Sequence, residues 1–306
     1  MKVDILLATY NSEKYINEQI DSLFGQTFKD FRLLIRDGGS TDSTLSIIKE
    51  LENRFPEKVC IVPSSGRSDF LENFQMLMRS SDADYTFFCD HDDIWLPEKV
   101  EKSLNRICSM TEKYGSGIPL CVHCDLMMVD GSGRTVNNSV HRAWSMGYTP
   151  ERSGYPVDIP CFGCTLVINR TLRDMAMSMT SGWSYHDTWC GRIAWYLGKV
   201  GYIDEALIKY RVHGSNVSCG APRRYPAVLF YHLRNFTDAR KKLRKNLIGA
   251  SAAFAGRFQE LPPLHRLRLE IFGNWQKYNI FVRLYMMLRY KIYANGIFRT
   301  VGLLFL

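Results

Sequence analysis

Short apolar runs alternate with amphipathic helical patterns through the first ninety residues, and this alternation constrains the fold more than any other feature. Four runs have the length and composition of buried strands, and the segments between them repeat apolar residues at helical spacing. A helix between successive strands permits parallel pairing and covers both faces of the sheet. We therefore predict an α/β fold with a doubly wound, mostly parallel sheet. The predicted strands are residues 3–10, 31–37, 58–64 and 84–90, and the predicted helices are residues 12–26, 40–55 and 70–81.

Charge divides the chain into an acidic body and a basic C-terminal region. Residues 221–306 carry 16 Lys and Arg against 3 Asp and Glu, whereas the preceding residues carry 23 basic and 28 acidic side chains. A chain of 306 residues can form one large domain with an appendage. We predict an α/β domain over residues 1–218, with halves at 1–119 and 120–218, and a basic amphipathic helical region over residues 219–306.

Three aspartates follow the fourth predicted strand within four positions, at Asp90, Asp92 and Asp93. Like charges this close repel one another, so a folded chain seldom clusters them without a neutralising group. Carboxylates in Asp-x-Asp spacing offer the hard oxygen ligands that Mg²⁺ and Mn²⁺ prefer, with phosphates and water completing the shell. An acidic turn capping the next helix is the structural alternative, but one acid would be enough for that purpose. The cluster therefore favours a divalent metal site.

Three other segments carry candidate functional residues. Asp37 ends the second predicted strand and precedes two glycines, a pattern that suits an ordinary turn equally well. Asp187, in the segment SYHDTW, could act as a general base or cap the helix that follows. Its aromatic neighbours would raise the pKa of its carboxyl by excluding water. His213 gains a role only if the fold places it opposite the aspartates.

In their order along the chain, these segments resemble a known family. LLATYNSEKY, RDGGSTDST, DHDDIW, HDTW and YRVHGSN follow one another as in the inverting family 2 glycosyltransferases with the GT-A fold. More narrowly, the chain is similar to the bacterial rhamnosyltransferases that build rhamnose-containing cell-surface polysaccharides. The resemblance extends over roughly residues 1–216 and rests on the order and spacing of the motifs. It implies a GT-A domain that binds a nucleotide-sugar donor.

The resemblance assigns the base and ribose of the donor to the ends of the first two strands. Thr9, Tyr10 and Asn11 would line both groups, and Asp37 would contact one of them. Many family members carry a second aspartate directly after the one at this strand end, and Gly38 takes its place here. Because glycine has no side chain with which to read a base, the resemblance leaves the donor base open.

The resemblance also assigns the metal, the diphosphate and the general base. Asp90 and Asp92 would form an Asp-x-Asp element that holds the ribose and a Mg²⁺ or Mn²⁺ ion bridging the diphosphate, with Asp92 as the metal ligand. Asp187 matches the base that takes the proton of the acceptor hydroxyl during a single inverting displacement. His213 falls where some members add a metal or diphosphate contact, and Arg211 could pair with a phosphate.

The basic C-terminal region interleaves Arg and Lys with aromatic and aliphatic residues. This pattern suits an interfacial helix at an anionic membrane, where each basic side chain contributes about 1 kcal/mol. It also suits amphipathic helices packed on the domain with solvated basic faces. We expect an anionic membrane surface as a partner. We expect no nucleic acid partner, because the chain carries none of the usual recognition motifs.

The expected location is cytoplasmic, at the inner face of the cell membrane. The N-terminal apolar run is too short for an export signal, and no apolar stretch approaches the length that spans a bilayer. Cysteines in that compartment stay reduced. The C-x-x-C pairs at Cys121/Cys124 and Cys161/Cys164 lie in apolar runs, so we expect buried thiols there instead of zinc ligands.

The leading hypothesis is a metal-dependent inverting glycosyltransferase that moves L-rhamnose from dTDP-β-L-rhamnose to a lipid-linked glycan of the cell surface. The near alternative keeps this fold and chemistry but uses a UDP-hexose donor. A sugar nucleotidyltransferase would open with a Gly-rich loop carrying a basic residue after the first strand, which LLATYNSEKY lacks. A non-catalytic membrane or nucleic-acid binding protein is a further alternative, and it requires the acidic cluster to be purely structural.

Overall fold

The computed structural model describes residues 1–64, 66–143, 155–156, 161–177, 185–213, 244–294 and 297–306. The chain divides into two units. The first comprises Met1–Ala143, Cys161–Ser181 and Tyr185–Arg211, and it contains every predicted site residue except His213. The second includes Val212–Leu306. The predicted boundary between residues 218 and 219 lies outside the described residues, so that division stays a prediction.

Strands and helices alternate at the start of the first unit, as the sequence predicted. The elements are β1 (Val3–Thr9), α1 (Ile16–Phe24), β2 (Arg32–Asp37), α2 (Thr44–Arg54), β3 (Val59–Ile61), α3 (Phe70–Ser80) and β4 (Tyr85–Cys89). β1 and β4 are buried along their whole lengths, which explains why their sequences are nearly continuous apolar runs. Asp4 is the buried charged residue in these two strands, and its carboxylate pairs with the guanidinium of Arg32 at 2.9 Å.

All of the later strands up to β10 except β8 extend the same sheet. The later elements are β5 (Ile94–Trp95), α4 (Lys99–Tyr114), β6 (Leu120–Val129), β7 (Thr135–Asn137), α5 (Val140–Ala143), β8 (Tyr155–Pro156, in the second unit), β9 (Leu166–Asn169), α6 (Arg170–Ala176), α7 (His186–Leu197) and β10 (Lys199–Arg211). The strand order is β3-β2-β1-β4-β9-β6-β10-β5, and β7 pairs with β6 at the side of this path. One nine-stranded sheet therefore runs through the first unit.

The direction of the strands decides which of their ends meet. β1 is parallel to β2 and β4, and β6 is parallel to β10. β9 lies between β4 and β6 and is antiparallel to both, so β4 and β6 run the same way. The α/β fold class is confirmed, and antiparallel pairing within the second half makes the sheet mixed. The carboxyl ends of β1, β2, β4, β6 and β10 consequently lie at one edge.

The described part of the second unit is mainly helical. Its elements are α8 (Ala250–Arg257), α9 (Pro263–Gly273), α10 (Ile280–Tyr290), β11 (Ile292–Tyr293) and α11 (Ile297–Gly302), and β11 pairs with β8 in parallel. Phe254, Phe272 and Trp275 are fully buried here. None of the helices that the structure describes has the length and apolar character needed to cross a bilayer.

Candidate active site at the carboxyl edge of the sheet

Four predicted site residues come together because their strands run the same way. Thr9 ends β1, Asp37 ends β2, Asp90 follows β4 and Arg211 ends β10. In open α/β sheets, ligands bind at this edge, because loops diverge there and leave a crevice. The fold therefore brings together side chains that are far apart in the sequence.

Asp37 anchors the loops that follow β1 and β2. Its Oδ1 accepts hydrogen bonds from the hydroxyls of Thr9 (2.9 Å) and Ser40 (2.5 Å). Its Oδ2 accepts from the backbone N–H groups of Gly39 (2.8 Å) and Ser40 (2.7 Å). A carboxylate offers about four acceptor positions, so protein donors already occupy Asp37. Its predicted contact with the donor stays a prediction.

Tyr10 and Asn11 form the rim beside this anchor. The backbone of Asn11 adopts a φ of 47°, and its side chain accepts a hydrogen bond from the N–H of Thr41 at 2.9 Å. Tyr10 is 41% exposed, and the guanidinium of Arg67 lies 6.0 Å from the centre of its ring. An exposed aromatic ring at such a rim offers a flat surface on which a nucleotide base can stack.

The packing around Gly38 excludes a side chain. A Cβ at this position would lie 2.8 Å from Nδ2 of Asn73 and 3.1 Å from the carbonyl oxygen of Ser68. Asn73 is held in place, because its Oδ1 accepts hydrogen bonds from the Ser68 hydroxyl (2.8 Å) and from Arg36. The glycine that departs from the family pattern is therefore required by its own surroundings in this chain.

We expect Gly38→Ala to lower the free energy of unfolding by about 1–3 kcal/mol, the usual cost of overpacking. Gly117→Ala is the matched control, because a Cβ at Gly117 meets no atom within 4 Å. Denaturant unfolding of both variants measures the difference. Equal effects at the two positions would show that Asn73 can move aside and that the pocket does not require glycine.

Two aspartates of the acidic cluster, Asp90 and Asp93, group with the thiol of Cys164, and the possible ligand atoms of these three residues all lie within 4.8 Å of one another. Asp90 is half-buried, and the other two are buried. Burial, together with the charges of Asp92 and Asp187, raises the pKa of Asp90 to about 8. Burial and the neighbouring carboxylates also raise the pKa of Asp93 well above its usual range. A bound cation would relieve this repulsion.

The two carboxylates of the cluster fit a hard divalent cation. Oδ2 of Asp93 is buried and has no hydrogen-bond partner among the described residues, while its Oδ1 accepts from the N–H of Arg211 at 3.3 Å. The Cys164 thiol fits less well, because burial raises its pKa well above the usual value and metals bind the thiolate. Asp92, the predicted metal ligand, is also buried, but it does not belong to this group of three. Its role stays a prediction.

A buried lysine near the acidic cluster was missed by the sequence analysis. Lys99 opens α4, and its Nζ lies 3.2 Å from the centre of the Trp95 ring and 4.9 Å from that of Phe87. Its Nζ has no hydrogen-bond partner in the part of the chain that the structure describes. Burial lowers the pKa of Lys99 to about 8, and the field of Asp93 acts in the opposite direction. The ammonium in turn acts on the Cys164 thiol of the cluster, whose pKa it lowers against the larger effect of burial.

Asp187 lies in the first turn of α7. Its carboxylate accepts hydrogen bonds from the backbone and also interacts electrostatically with Asp90 of the acidic cluster. Its Oδ2 accepts from the N–H of Gly163 at 3.1 Å, and its Oδ1 accepts from the N–H of Thr188 at 2.6 Å. Burial raises the pKa of Asp187, in the direction that the sequence predicted. The charge of Asp187 in turn raises the pKa of Asp90. The same carboxyl therefore accepts backbone hydrogen bonds at the start of α7 and has a raised pKa.

The histidine that precedes Asp187 belongs to the core. The ring centre of His186 lies 4.1 Å from that of Phe74, 4.6 Å from Phe88 and 5.3 Å from Phe70. Neither ring nitrogen has a hydrogen-bond partner among the described residues. Burial lowers the pKa of His186 to about 3, so the ring is neutral. It packs against the three phenylalanine rings as an aromatic core side chain.

Arg211 clamps the acidic loop to its neighbours. Its Nε donates to the carbonyl oxygen of Asp92 at 3.1 Å, its Nη1 donates to that of Gly131 at 3.3 Å, and its Nη2 pairs with Glu18. The predicted phosphate contact of Arg211 stays a prediction beside this structural role. His213 belongs to the second unit, and its predicted contact also stays a prediction.

The thiols of both C-x-x-C pairs are buried and free, as the sequence predicted. Cys164 differs from the other three because it lies beside Asp90 and Asp93. Sequence spacing could not reveal that position, since the neighbours come from a different strand end.

Comparison with known proteins shows which family the first part of this site resembles. Residues 4–116 match the model of glycosyl transferase family 2, and the match includes Asp37 and the three clustered aspartates. Residues 4–116 therefore carry a glycosyl transferase family 2 domain. The chain is 36% identical over 103 residues to the dTDP-rhamnosyl transferase RfbG of Shigella flexneri. That alignment covers 32% of this chain and only 36% of RfbG.

Two solved structures extend the likeness beyond the matched segment. TarS of S. aureus, in complex with UDP-GlcNAc, aligns with a TM-score of 0.56 at 18% identity, over 96% of this chain and 93% of that one. The mannosyltransferase PcManGT from Pyrobaculum calidifontis, in complex with GDP-Man and Mn²⁺, aligns with a TM-score of 0.60 at 14% identity, over 89% and 69%. At these identities the likeness concerns the fold, and the predicted GT-A fold is confirmed.

Proposed function

We propose that this chain is a metal-dependent inverting glycosyltransferase that transfers L-rhamnose from dTDP-β-L-rhamnose to a lipid-linked intermediate of a cell-surface polysaccharide. The observation that carries the proposal is the arrangement of Asp90, Asp93 and Asp187. A metal-compatible carboxylate cluster and a base-like carboxyl interact electrostatically at the edge of the sheet where nucleotides bind. The segment shared with a dTDP-rhamnosyl transferase supports the choice of donor.

The loops after β1, β2 and β4 would bind the nucleotide-sugar donor. Tyr10 and Asn11 would line the base and ribose on a rim that Asp37 keeps rigid. Asp90 would contact the nucleotide-sugar and hold Mg²⁺ or Mn²⁺, with Asp92 as the second ligand by resemblance or Asp93 by position. When bound, the cation would neutralise the charge that grows on the diphosphate as the glycosidic bond breaks.

Asp187 would act on the acceptor as the general base. Its carboxylate would accept the proton of the acceptor hydroxyl, whose oxygen attacks the anomeric carbon from the side opposite the diphosphate. The new glycosidic bond forms as the bond to the diphosphate breaks, so the anomeric configuration inverts and the bonding electron pair leaves with the diphosphate. Because burial raises the pKa of Asp187, the carboxylate is a stronger base than an exposed aspartate whenever it is ionised.

The setting of the reaction follows from the proposed acceptor. A lipid-linked glycan lies at a membrane, and we propose that the chain works at the cytoplasmic face of that membrane. The basic C-terminal region supports attraction to an anionic surface. A UDP-hexose donor is the second candidate, supported by the fold shared with TarS, which binds UDP-GlcNAc.

Nucleotide binding tests the proposal without knowledge of the acceptor. We expect dTDP with Mn²⁺ to raise the melting temperature of the purified protein, because a ligand at about 100 times its Kd adds about 2.7 kcal/mol of stability. The measurement compares dTDP, UDP and GDP, each with Mn²⁺ and with EDTA. A preference for UDP would support the hexose donor instead, and no shift with any nucleotide in folded protein would contradict the proposal.

A further inference from the structure

Helix α10 turns an apolar face outward. Helical geometry, with about 100° between successive residues, places Phe281, Leu284, Tyr285 and Leu288 on one side of the helix. Their exposures are 80%, 44%, 59% and 74%. Ile280 and Arg289, both exposed, lie at the two edges of this face, and none of its four residues is charged. Such exposed apolar patches mark binding sites for proteins or membranes.

The inward side of the same helix holds an arginine. Arg283 is buried, and its guanidinium donates through Nε to the carbonyl oxygen of Trp275 at 3.1 Å and through Nη1 to that of Leu304 at 2.8 Å. Met287 is the other buried residue of α10. Helices at a protein surface normally bury their apolar side. Turning the apolar face of α10 inward would break both bonds of Arg283, so these bonds favour the outward orientation.

The charges around this face have one sign. Residues 271–306 contain five Lys and Arg and no Asp or Glu. Lys277 precedes α10, and Arg289 and Lys291 lie at its C-terminal end, and all three are exposed. An apolar and aromatic face flanked by cations is the composition of a helix that lies in the interface of an anionic bilayer. The positive flank favours a lipid surface over an apolar protein partner, which would not require it.

We propose that the outward face of α10, formed by Phe281, Leu284, Tyr285 and Leu288, docks the chain on an anionic lipid surface. Phe281 and Leu288, the most exposed of the four, enter the acyl region, and the flanking cations contact the headgroups. The inference rests on the proposed function for its setting, since a lipid-linked acceptor requires access to a membrane. The docking itself requires neither donor nor catalysis.

Vesicle binding by the full chain tests this surface. The assay is co-sedimentation with vesicles of phosphatidylcholine and phosphatidylglycerol, with phosphatidylcholine vesicles for comparison and no nucleotide present. We expect binding to the anionic vesicles, and we expect Phe281→Ser/Leu288→Ser to weaken it at least tenfold. The matched control, Leu45→Ser/Val136→Ser, removes exposed apolar side chains from the first unit and should change binding less than twofold. Lys277→Glu/Arg289→Glu should weaken binding to the anionic vesicles selectively.

Several results would overturn the inference. These are absence of binding by the parent protein, or unchanged vesicle binding by the folded Phe281→Ser/Leu288→Ser variant. A third is a change in oligomeric state of this variant without loss of vesicle binding, which would identify the face as a contact between copies of the chain. Asp187→Asn should bind vesicles normally, and the α10 variant should keep its nucleotide binding. The inference and the proposed function therefore fail separately.

Discussion

Asp187→Asn is expected to lower the rate of sugar transfer by about 10²–10⁴-fold, the range that a positioned general base contributes. Asparagine keeps the size of the side chain and an oxygen that can accept one of the hydrogen bonds from Gly163 and Thr188, but it cannot take a proton. Binding of the donor nucleotide should remain, because the role proposed for Asp187 concerns the acceptor. The measurement is the steady-state transfer rate beside calorimetric titration with nucleotide and Mn²⁺.

Thr188→Ala is the matched control for this change. It removes a hydroxyl that donates to the same carboxylate at 3.2 Å and leaves the carboxylate in place. We expect its rate to stay within a few-fold of the parent. A folded Asp187→Asn protein that keeps more than a tenth of the parent rate would contradict the base assignment. Loss of nucleotide binding in that protein would place Asp187 in the donor site instead.

The pH dependence of transfer has a defined sign. Burial raises the pKa of Asp187 above its ordinary value of 3.8, and a general base works only when it is deprotonated. The rate should therefore fall as the pH drops through this raised pKa, and Asp187→Asn should lack that acid limb. The profile is measured at saturating Mn²⁺, because a metal ion bound at Asp90 would displace the proton of its carboxyl and remove its titration from the measured pH range.

Asp90→Asn is expected to weaken Mn²⁺-dependent nucleotide binding by about 100-fold, or about 2.7 kcal/mol. Asp90 belongs both to the Asp-x-Asp element and to the cluster with Asp93 and Cys164, so either arrangement of the metal depends on it. Hard divalent cations bind through ionised carboxylates, and an amide oxygen supplies no charge. Calorimetric titration with dTDP, in Mn²⁺ and in EDTA, measures the loss. Retention of Mn²⁺-dependent binding would contradict a metal site at Asp90.

Two further variants identify the second ligand. Loss of Mn²⁺ dependence in Asp92→Asn alone would uphold the Asp-x-Asp element that the sequence predicts. The same loss in Asp93→Asn alone would uphold the cluster in the structure, where Oδ2 of Asp93 is buried without a partner among the described residues. Melting temperatures of both variants serve as the control, because Asp93 also accepts the N–H of Arg211.

The first half of the fold was predictable because its signals are local. Apolar periodicity depends on residues a few positions apart, and it identified every strand and helix from β1 to β4. The same reasoning placed Asp37 and Asp90 at one edge, since parallel strands share an edge for their carboxyl ends. The order of motifs predicted a family 2 glycosyltransferase, and residues 4–116 match the model of that family.

Other features depend on contacts between distant segments, which no local pattern encodes. β9 inserts antiparallel between β4 and β6, Cys164 reaches the acidic cluster from the turn before β9, and Lys99 lies against Trp95 and Phe87. These arrangements depend on pairing and packing after the chain has folded.

In the second unit, too, local sequence signals and tertiary contacts determine different features. The sequence by itself determined that the C-terminal region is basic, helical and rich in aromatic residues. Only the tertiary structure decided which side of α10 faces outward. Two hydrogen bonds of the buried Arg283 to backbone carbonyls hold that helix with its apolar face exposed, because a buried guanidinium must find acceptors.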